Sequence, residues 1–269
     1  MPELPEVETV VRTLEKKIKN KKIIDVDIRY KKIVTTNPTV FKRKIINRSF
    51  IDFKRRGKYL LFYLDDIILV SHLRMEGKYY IQNEDVKPTK HTHVVFNLND
   101  GTKLWYLDTR KFGRFELYPL DTDLDTFKNL GPEPFSKGLN LKYVKEFVKN
   151  KNIPVKQLLL DQSFIAGIGN IYADEILFRA SVNPKTKANR LKDDEIKRLI
   201  SSTRLILKGA IKSGGTTIRS FSSLNHVTGR FQQKLKVHTK EICSKCGSKI
   251  KVIRINGRST YYCPKCQGK

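Results

Sequence analysis

No uninterrupted apolar run in this 269-residue chain approaches the roughly 20 residues that a membrane span requires. The amino terminus is acidic and carries prolines, so the basic stretch followed by an apolar one that marks a secretory signal is missing as well. Acidic residues are scarce: 27 Asp and Glu stand against 54 Lys and Arg, a net charge of +27 spread along the chain. Such an excess repels itself in a compact fold and makes most sense beside a polyanion. An anionic membrane would require a basic amphipathic helix with an aromatic apolar face, and none is visible, which leaves nucleic acid. There is no internal repeat. A hydrophobic content of 39% still allows a real core in one large or two ordinary domains.

Cysteine is also rare, and its placement is informative. Cys243-Ser244-Lys245-Cys246 and Cys263-Pro264-Lys265-Cys266 are Cys-x-x-Cys pairs separated by 16 residues. This spacing suits one zinc ion held by four thiolates, and a full set of protein ligands leaves no open position, so the metal is structural. Two disulfides are the alternative, although nothing indicates an oxidising compartment. Either use consumes every thiol and excludes a cysteine nucleophile. Residues 250–262, between the pairs, read as a β-hairpin with Arg258 near its turn. A solvated arginine and a phosphate contact are both open there.

Residues 2–20 read as a helix, because Leu4, Val7, Val10, Val11, Leu14 and Ile18 recur at three- and four-residue spacing. Short β-type runs follow at 23–30, 48–53, 59–64, 67–72, 78–82, 93–98, 103–107 and 114–118, separated by turn signals such as Asn99-Asp100-Gly101. About eight antiparallel strands suggest a β-sandwich capped by the first helix. Gly131-Pro132-Glu133-Pro134 marks a boundary, and helical patterns at 141–149, 155–160, 171–180 and 193–213 make a second domain. Between two of these helices, Gly167-Ile168-Gly169 could bring backbone N–H groups close to an anion, or simply make a turn.

The chemistry concentrates in Met1-Pro2-Glu3-Leu4-Pro5-Glu6. If Met1 is trimmed, Pro2 presents a secondary amine that titrates nearer neutrality than lysine. Such an amine can attack an electrophilic carbon and collapse to an iminium cation, an electron sink. Glu3 could move the proton, and Glu6 lies one helical turn further on. A proline and carboxylates also start a helix well, and that plainer role stays open on these residues alone.

The opening Pro2-Glu3-Leu4-Pro5-Glu6-Val7-Glu8-Thr9-Val10 strongly resembles the formamidopyrimidine-DNA glycosylases, bacterial enzymes that remove 8-oxoguanine and ring-opened purines. Arg55-Arg56-Gly57-Lys58-Tyr59-Leu60, His72-Leu73-Arg74-Met75-Glu76-Gly77, Arg110-Lys111-Phe112-Gly113, Gly131-Pro132-Glu133-Pro134, Gly167-Ile168-Gly169-Asn170-Ile171-Tyr172 and the cysteine pairs follow in family order, so the resemblance covers the whole chain. It implies an α+β multidomain fold. A catalytic β-sandwich with a capping helix would occupy 1–130, a helix-two-turn-helix domain 131–234, and a four-cysteine zinc finger 235–269. The implied partner is double-stranded DNA with oxidised purines, met by a monomer in the bacterial cytoplasm, and the implied cofactor is one structural zinc ion.

Residue by residue, the resemblance makes Pro2 the nucleophile, through a Schiff base, and Glu3 the proton shuttle. Lys58 is assigned to the first elimination and Arg258 to the second, with a phosphate-clamp role favoured for Arg258 because a guanidinium is a poor acid. A stacked base is out of reach, so the nucleotide must be flipped out and the hole filled; Met75, Arg110 and Phe112 match the void-filling set. His72, His91 and Asn170 resemble DNA-contacting positions. Lys90-His91-Thr92-His93 alone could also suggest a metal site.

The chain departs from the family pattern in four places. Lys111 replaces a frequent second arginine. The interdomain basic contact falls near Asn152, with Lys151 or Lys156 as candidates. Residues 235–242 look short and lack the customary Tyr-Gly, and 221–230 diverge where the family has a loop over the flipped base. The runner-up enzyme is an endonuclease VIII-type glycosylase acting on oxidised pyrimidines. A non-catalytic zinc protein that binds damaged DNA is the alternative of another class.

Overall fold

Apolar side chains at every third or fourth position roll the start of the chain into α1 (Leu4–Ile18) in the computed structural model, which describes residues 1–83, 86–124, 127–216 and 230–268. The helix starts two residues later than the periodicity suggests. Glu3 is its N-cap, in extended backbone at φ −100° and ψ −176°, and Pro5 occupies the first turn, where a missing N–H costs nothing. The chain forms two compact units, Met1–Leu124 with Gly214–Gly229 and Asp125–Ser213 with Arg230–Lys269.

The first unit holds eight strands: β1 (Ile23–Ile28), β2 (Asp52–Arg56), β3 (Tyr59–Tyr63), β4 (Ile67–His72), β5 (Lys78–Gln82), β6 (Thr92–Leu98), β7 (Lys103–Leu107) and β8 (Arg114–Pro119). They make two four-stranded antiparallel sheets, ordered β2-β3-β4-β8 and β1-β6-β7-β5. Phe53, Leu60, Phe62 and Leu69 from one sheet, and Val26, Val94, Phe96 and Tyr106 from the other, share one core with Val7, Val11, Leu14 and Ile18 of α1. The sandwich with its capping helix is therefore present.

Two local features depart from the sequence expectation. The strand expected at 48–53 begins at Asp52, because 48–50 bond the turn after α1 instead: the Arg48 carbonyl accepts from Ile23 N–H and the Phe50 carbonyl from Asn20 N–H. A further helix, α2 (Pro38–Ile45), lies where none was expected. Asn37 caps it by accepting the Thr39 and Val40 N–H groups, Pro38 opens it, and Phe41 and Ile45 bury its short apolar face.

The second unit contains α3 (Leu141–Val148), α4 (Val155–Leu160), α5 (Asn170–Ala180), α6 (Asp193–Lys212) and a hairpin of β9 (Lys251–Ile255) and β10 (Arg258–Tyr262). Helix α5 packs against α4, α6 and β10, so nearly all of it is buried, including the carboxylates of Asp174 and Glu175. The turn from α4 to α5 is stapled by Gln162, whose side chain donates to the Leu160 and Ile168 carbonyls and accepts the Gly167 N–H. Gly167 sits at φ +94°, a conformation that suits glycine. Among the described residues no helix is long and apolar enough to cross a membrane.

Candidate active site

In the first unit the site is assembled around the amino terminus. Pro2 is buried, and Glu3 is 3% exposed. The Glu3 N–H donates to Glu6 Oε2 at 2.9 Å, while Glu6 Oε1 accepts from the Thr216 N–H at 2.7 Å and the Thr216 hydroxyl at 3.1 Å. Glu6 therefore ties the first turn of α1 to the distant segment 214–216. Gly215 must be glycine there: it lies at φ +79°, and a Cβ would stand 2.6 Å from Glu6 Oε1. The terminal amine is that of Met1, and burial lowers its affinity for a proton. Glu3 and Glu6 raise it, Lys58 lowers it and Glu76 raises it, and the net effect is a pKa below the usual value. One amine thus sits among three carboxylates and one ammonium.

Lys58 follows Gly57 (φ +56°) in the turn between β2 and β3 and is 5% exposed. His72 ends β4 opposite Tyr59, with its ring edge-on to the Tyr59 ring at 4.5 Å. Its Nδ1 accepts the Arg74 N–H at 2.8 Å. Burial first, then the charges of Arg74 and Lys58, push its pKa from 6.5 down to about 3, so the imidazole is neutral at cellular pH. Because the folded value lies below the unfolded one, the unfolded chain takes up a proton that the folded chain resists. Stability should be untouched above about pH 7 and fall as pH drops through 6.5 toward 3, losing about 2 kcal/mol by pH 5 through this group. Urea midpoints at pH 7.5 and pH 5 check this: the acid-induced loss should be smaller in His72→Gln than in the parent, and equal losses would contradict it.

Two turns project from the sandwich, one after β4 (Arg74 to Gly77) and one after β7 (Thr109 to Gly113). Arg74 and Lys111 adopt φ +52° and +59° within them. Asp108 fixes the second turn by accepting the N–H groups of Arg110 at 3.0 Å and Gly113 at 2.7 Å. The Thr109 hydroxyl donates to Glu76 and joins the two turns. Tyr106 lies beneath both. A Cβ on Gly77 or Gly113 would stand 2.2 or 1.8 Å from its hydroxyl oxygen, so both turns need glycine to settle on this ring. The ring itself is wedged between Tyr79 and Phe115. The tips stay outside: Phe112 is 47% exposed, Met75 is half-buried, and the Arg110 guanidinium lies 4.9 Å over the Phe112 ring. His91, half-buried, accepts the Asp108 N–H through its carbonyl beside these turns. His93 is buried, its Nε2 2.7 Å from the Asp108 carbonyl, and no metal-binding group forms around 90–93 among the described residues.

In the second unit Asn170 opens α5, and its Nδ2 donates to the Ser259 carbonyl on the hairpin at 2.9 Å. Arg258 beside it is exposed. Lys151 is exposed, its ammonium 5.3 Å from the Phe147 ring. Lys156 is not a surface contact: it is 0% exposed and donates to the Asn170 carbonyl at 2.8 Å and to Asp174 Oδ1 at 2.6 Å. The pattern around it shows only a helix, because the partner carboxylate lies one helix further on.

The four cysteine sulfurs lie within 4.8 Å of one another, with Cys243 Sγ 3.8 Å from Cys266 and Cys246 Sγ 3.5 Å from Cys263. Thiolates around a tetrahedral zinc stand about 3.8 Å apart, so the four fit one structural zinc ion. The segment 221–229, expected to meet the lesion, lies outside the described residues.

Sequence reading missed Tyr106, Asp108, Asp174 and His238. The glycines at 77 and 113 signalled tight turns but not the ring beneath them.

Residues 1–115 match the family described as formamidopyrimidine-DNA glycosylase N-terminal domain, 130–222 the formamidopyrimidine-DNA glycosylase H2TH domain, and 240–268 a zinc finger found in FPG and IleRS. The chain is 44% identical over 271 residues to the formamidopyrimidine-DNA glycosylase of Lactobacillus delbrueckii subsp. bulgaricus, covering 99% of both chains. It is 45% identical over 271 residues to that of Streptococcus mutans, again with 99% of each covered. Among solved structures, it superposes on a Lactococcus lactis Fpg bound to DNA containing an abasic site with a TM-score of 0.94 at 42% identity, covering 99% of this chain and 100% of that one. The wild-type Lactococcus lactis protein with an N7-benzyl-Fapy-dG containing DNA gives 0.94 and 42% with full coverage of both.

Proposed function

The chain belongs to the formamidopyrimidine-DNA glycosylase family of bifunctional glycosylase/AP-lyase enzymes, and from that premise we propose how its residues divide the repair of oxidised purines in duplex DNA. The observation that carries the reading is the amino-terminal segment, where Pro2 and Glu3 are buried and the adjoining Met1 amine feels the charges of Glu3, Glu6, Lys58 and Glu76. With Met1 removed, the Pro2 nitrogen attacks C1′ of the flipped nucleotide. The new N–C1′ bond forms as the bond to the damaged base breaks, the proton given up by the Pro2 amine leaves with the base, and Glu3 supplies the proton that lets the sugar ring open. The resulting iminium acidifies C2′. Loss of that proton expels the 3′ phosphate, and a second elimination expels the 5′ phosphate.

Pro2 is buried, and Lys58, which is also buried and acts on the charge of the neighbouring Met1 terminus, serves the first elimination. Arg258, exposed on the hairpin, neutralises the phosphate lost in the second. Met75, Arg110 and Phe112, on turns seated on Tyr106, fill the hole left by the flipped nucleotide. Arg110 presents a planar donor pair to the orphaned base. His72, being neutral, acts toward DNA only as a hydrogen-bond donor. His91, Lys151 and the Asn170 end of α5 supply backbone contacts. The zinc ion holds the hairpin and takes no part in the chemistry.

Incubating the protein with an 8-oxoguanine:cytosine duplex and sodium borohydride should leave a reduced adduct, mapped to Pro2 by mass spectrometry. No adduct from protein shown to lack Met1 and to contain zinc would sink the Schiff-base mechanism. Faster excision of thymine glycol than of 8-oxoguanine would move the substrate to oxidised pyrimidines.

A further inference from the structure

The segment leading to the zinc hairpin carries His238 and Thr239. Thr239 holds φ +61°, a turn that glycine would make more easily. His238 Nδ1 donates to Asp174 Oδ2 at 2.7 Å, and its ring meets the Tyr261 ring of β10 at 4.8 Å and 61°. Asp174 is 1% exposed, and its other oxygen accepts from Lys156 at 2.6 Å. Lys156 in turn donates to the Asn170 carbonyl at the start of α5, and the Asn170 side chain donates to the Ser259 carbonyl, next to Arg258. A continuous chain of contacts thus leaves His238, passes through the core of α5 and returns to the hairpin that carries His238's other contact, Tyr261.

We infer that His238 and Asp174 form a positioning pair that fixes the zinc hairpin on helix α5 and thereby aims Arg258 for the second elimination. The inference rests on the role given to Arg258 above. A buried carboxylate between an ammonium and an imidazole N–H is satisfied on both oxygens. Removing the imidazole donor leaves Oδ2 without that partner and frees the hairpin to shift on α5. The backbone of the segment is held separately, because Glu175 accepts the N–H groups of Lys236, Val237 and His238. Loss of the His238 side chain therefore need not dislodge the chain leading to Cys243.

The test uses full-length, zinc-loaded protein on an abasic-site duplex and reads the ratio of doubly eliminated to singly eliminated product, with borohydride trapping and zinc content measured alongside. His238→Phe keeps a ring against Tyr261 but has no donor. Its product ratio should fall about tenfold toward that of Arg258→Gln, with trapping and zinc unchanged, because a displaced guanidinium loses its alignment. His238→Asn, which replaces the Nδ1 donor with an amide N–H, should restore the ratio. Asp174→Asn should lower the ratio as His238→Phe does. An unchanged ratio in His238→Phe overturns the inference, as does a parallel fall of trapping, zinc and both eliminations, which would mark a merely structural role. Failure of His238→Asn to restore the ratio overturns it as well. If Arg258→Gln also leaves the ratio unchanged, the Arg258 assignment falls together with this inference; if only Arg258→Gln lowers it, the inference alone falls.

Discussion

Cys263→Ser should release the zinc and abolish strand cleavage while leaving the first unit folded. Cys263 is fully buried, and with Cys243 it shares a small cluster with Phe178, Val237 and Ile250. That cluster is too small to hold a two-stranded hairpin by burial alone, since isolated hairpins are marginal in water. A structural zinc contributes on the order of 10–16 kcal/mol at neutral pH, far more than the apolar contacts here. Without it, β9 and β10 lose their anchor, and Arg258 and the Ser259 carbonyl that Asn170 binds go with them. Cleavage of an 8-oxoguanine duplex should drop by at least about 100-fold, the scale on which misplaced catalytic groups fail. The β-sheet circular dichroism of the first unit should persist. A strong chelator should reproduce the loss in the parent protein, and added zinc should reverse it. Zinc-free protein that still cleaves at the parent rate would show that the hairpin is not needed.

The parts of this architecture that could be read from sequence are those whose cause is local. The sandwich strands announce themselves because runs of β-branched and aromatic residues bounded by turn residues act over a few positions, and the zinc site because two short spacings suffice. Most of what escaped has its cause elsewhere in the chain. Residues 48–50 carry a strand-like pattern, yet their hydrogen bonds go to residues 20–23, and nothing local records that. Helix α2 has only eight residues, too few for periodicity to stand out, although Asn37-Pro38 was a readable start. Lys156 looked like a surface cation because lysine usually is one. Its burial depends on Asp174, 18 residues away, and the same aspartate gives His238 a purpose that no motif contains. Charges neutralised at long range are the least legible feature of the sequence, and in this protein they lie behind the residues assigned to chemistry.

Glu6→Ala should slow base excision by about 100-fold with duplex binding unchanged, although Glu6 is not assigned to touch the substrate. Its carboxylate accepts from the Glu3 N–H on one oxygen and from both donors of Thr216 on the other. Glu6 is 3% exposed, so the backbone N–H groups of Glu3 and Thr216 would be left buried without these acceptors, at about 1–3 kcal/mol each. The chain relieves that cost most easily by letting the first residues swing out toward water, which withdraws Pro2 and Glu3 from their places. Duplex binding does not use this carboxylate, so the loss should appear in the single-turnover excision and borohydride-trapping rates rather than in affinity. Glu6→Gln separates the two halves of the contact. Its amide oxygen can still accept from Thr216, but its NH2 cannot accept from Glu3, so an intermediate rate is expected. Parent-like trapping in Glu6→Ala would mean that the amino terminus holds its position without this tie, and the account of how the nucleophile is aimed would have to rest on the N-cap alone.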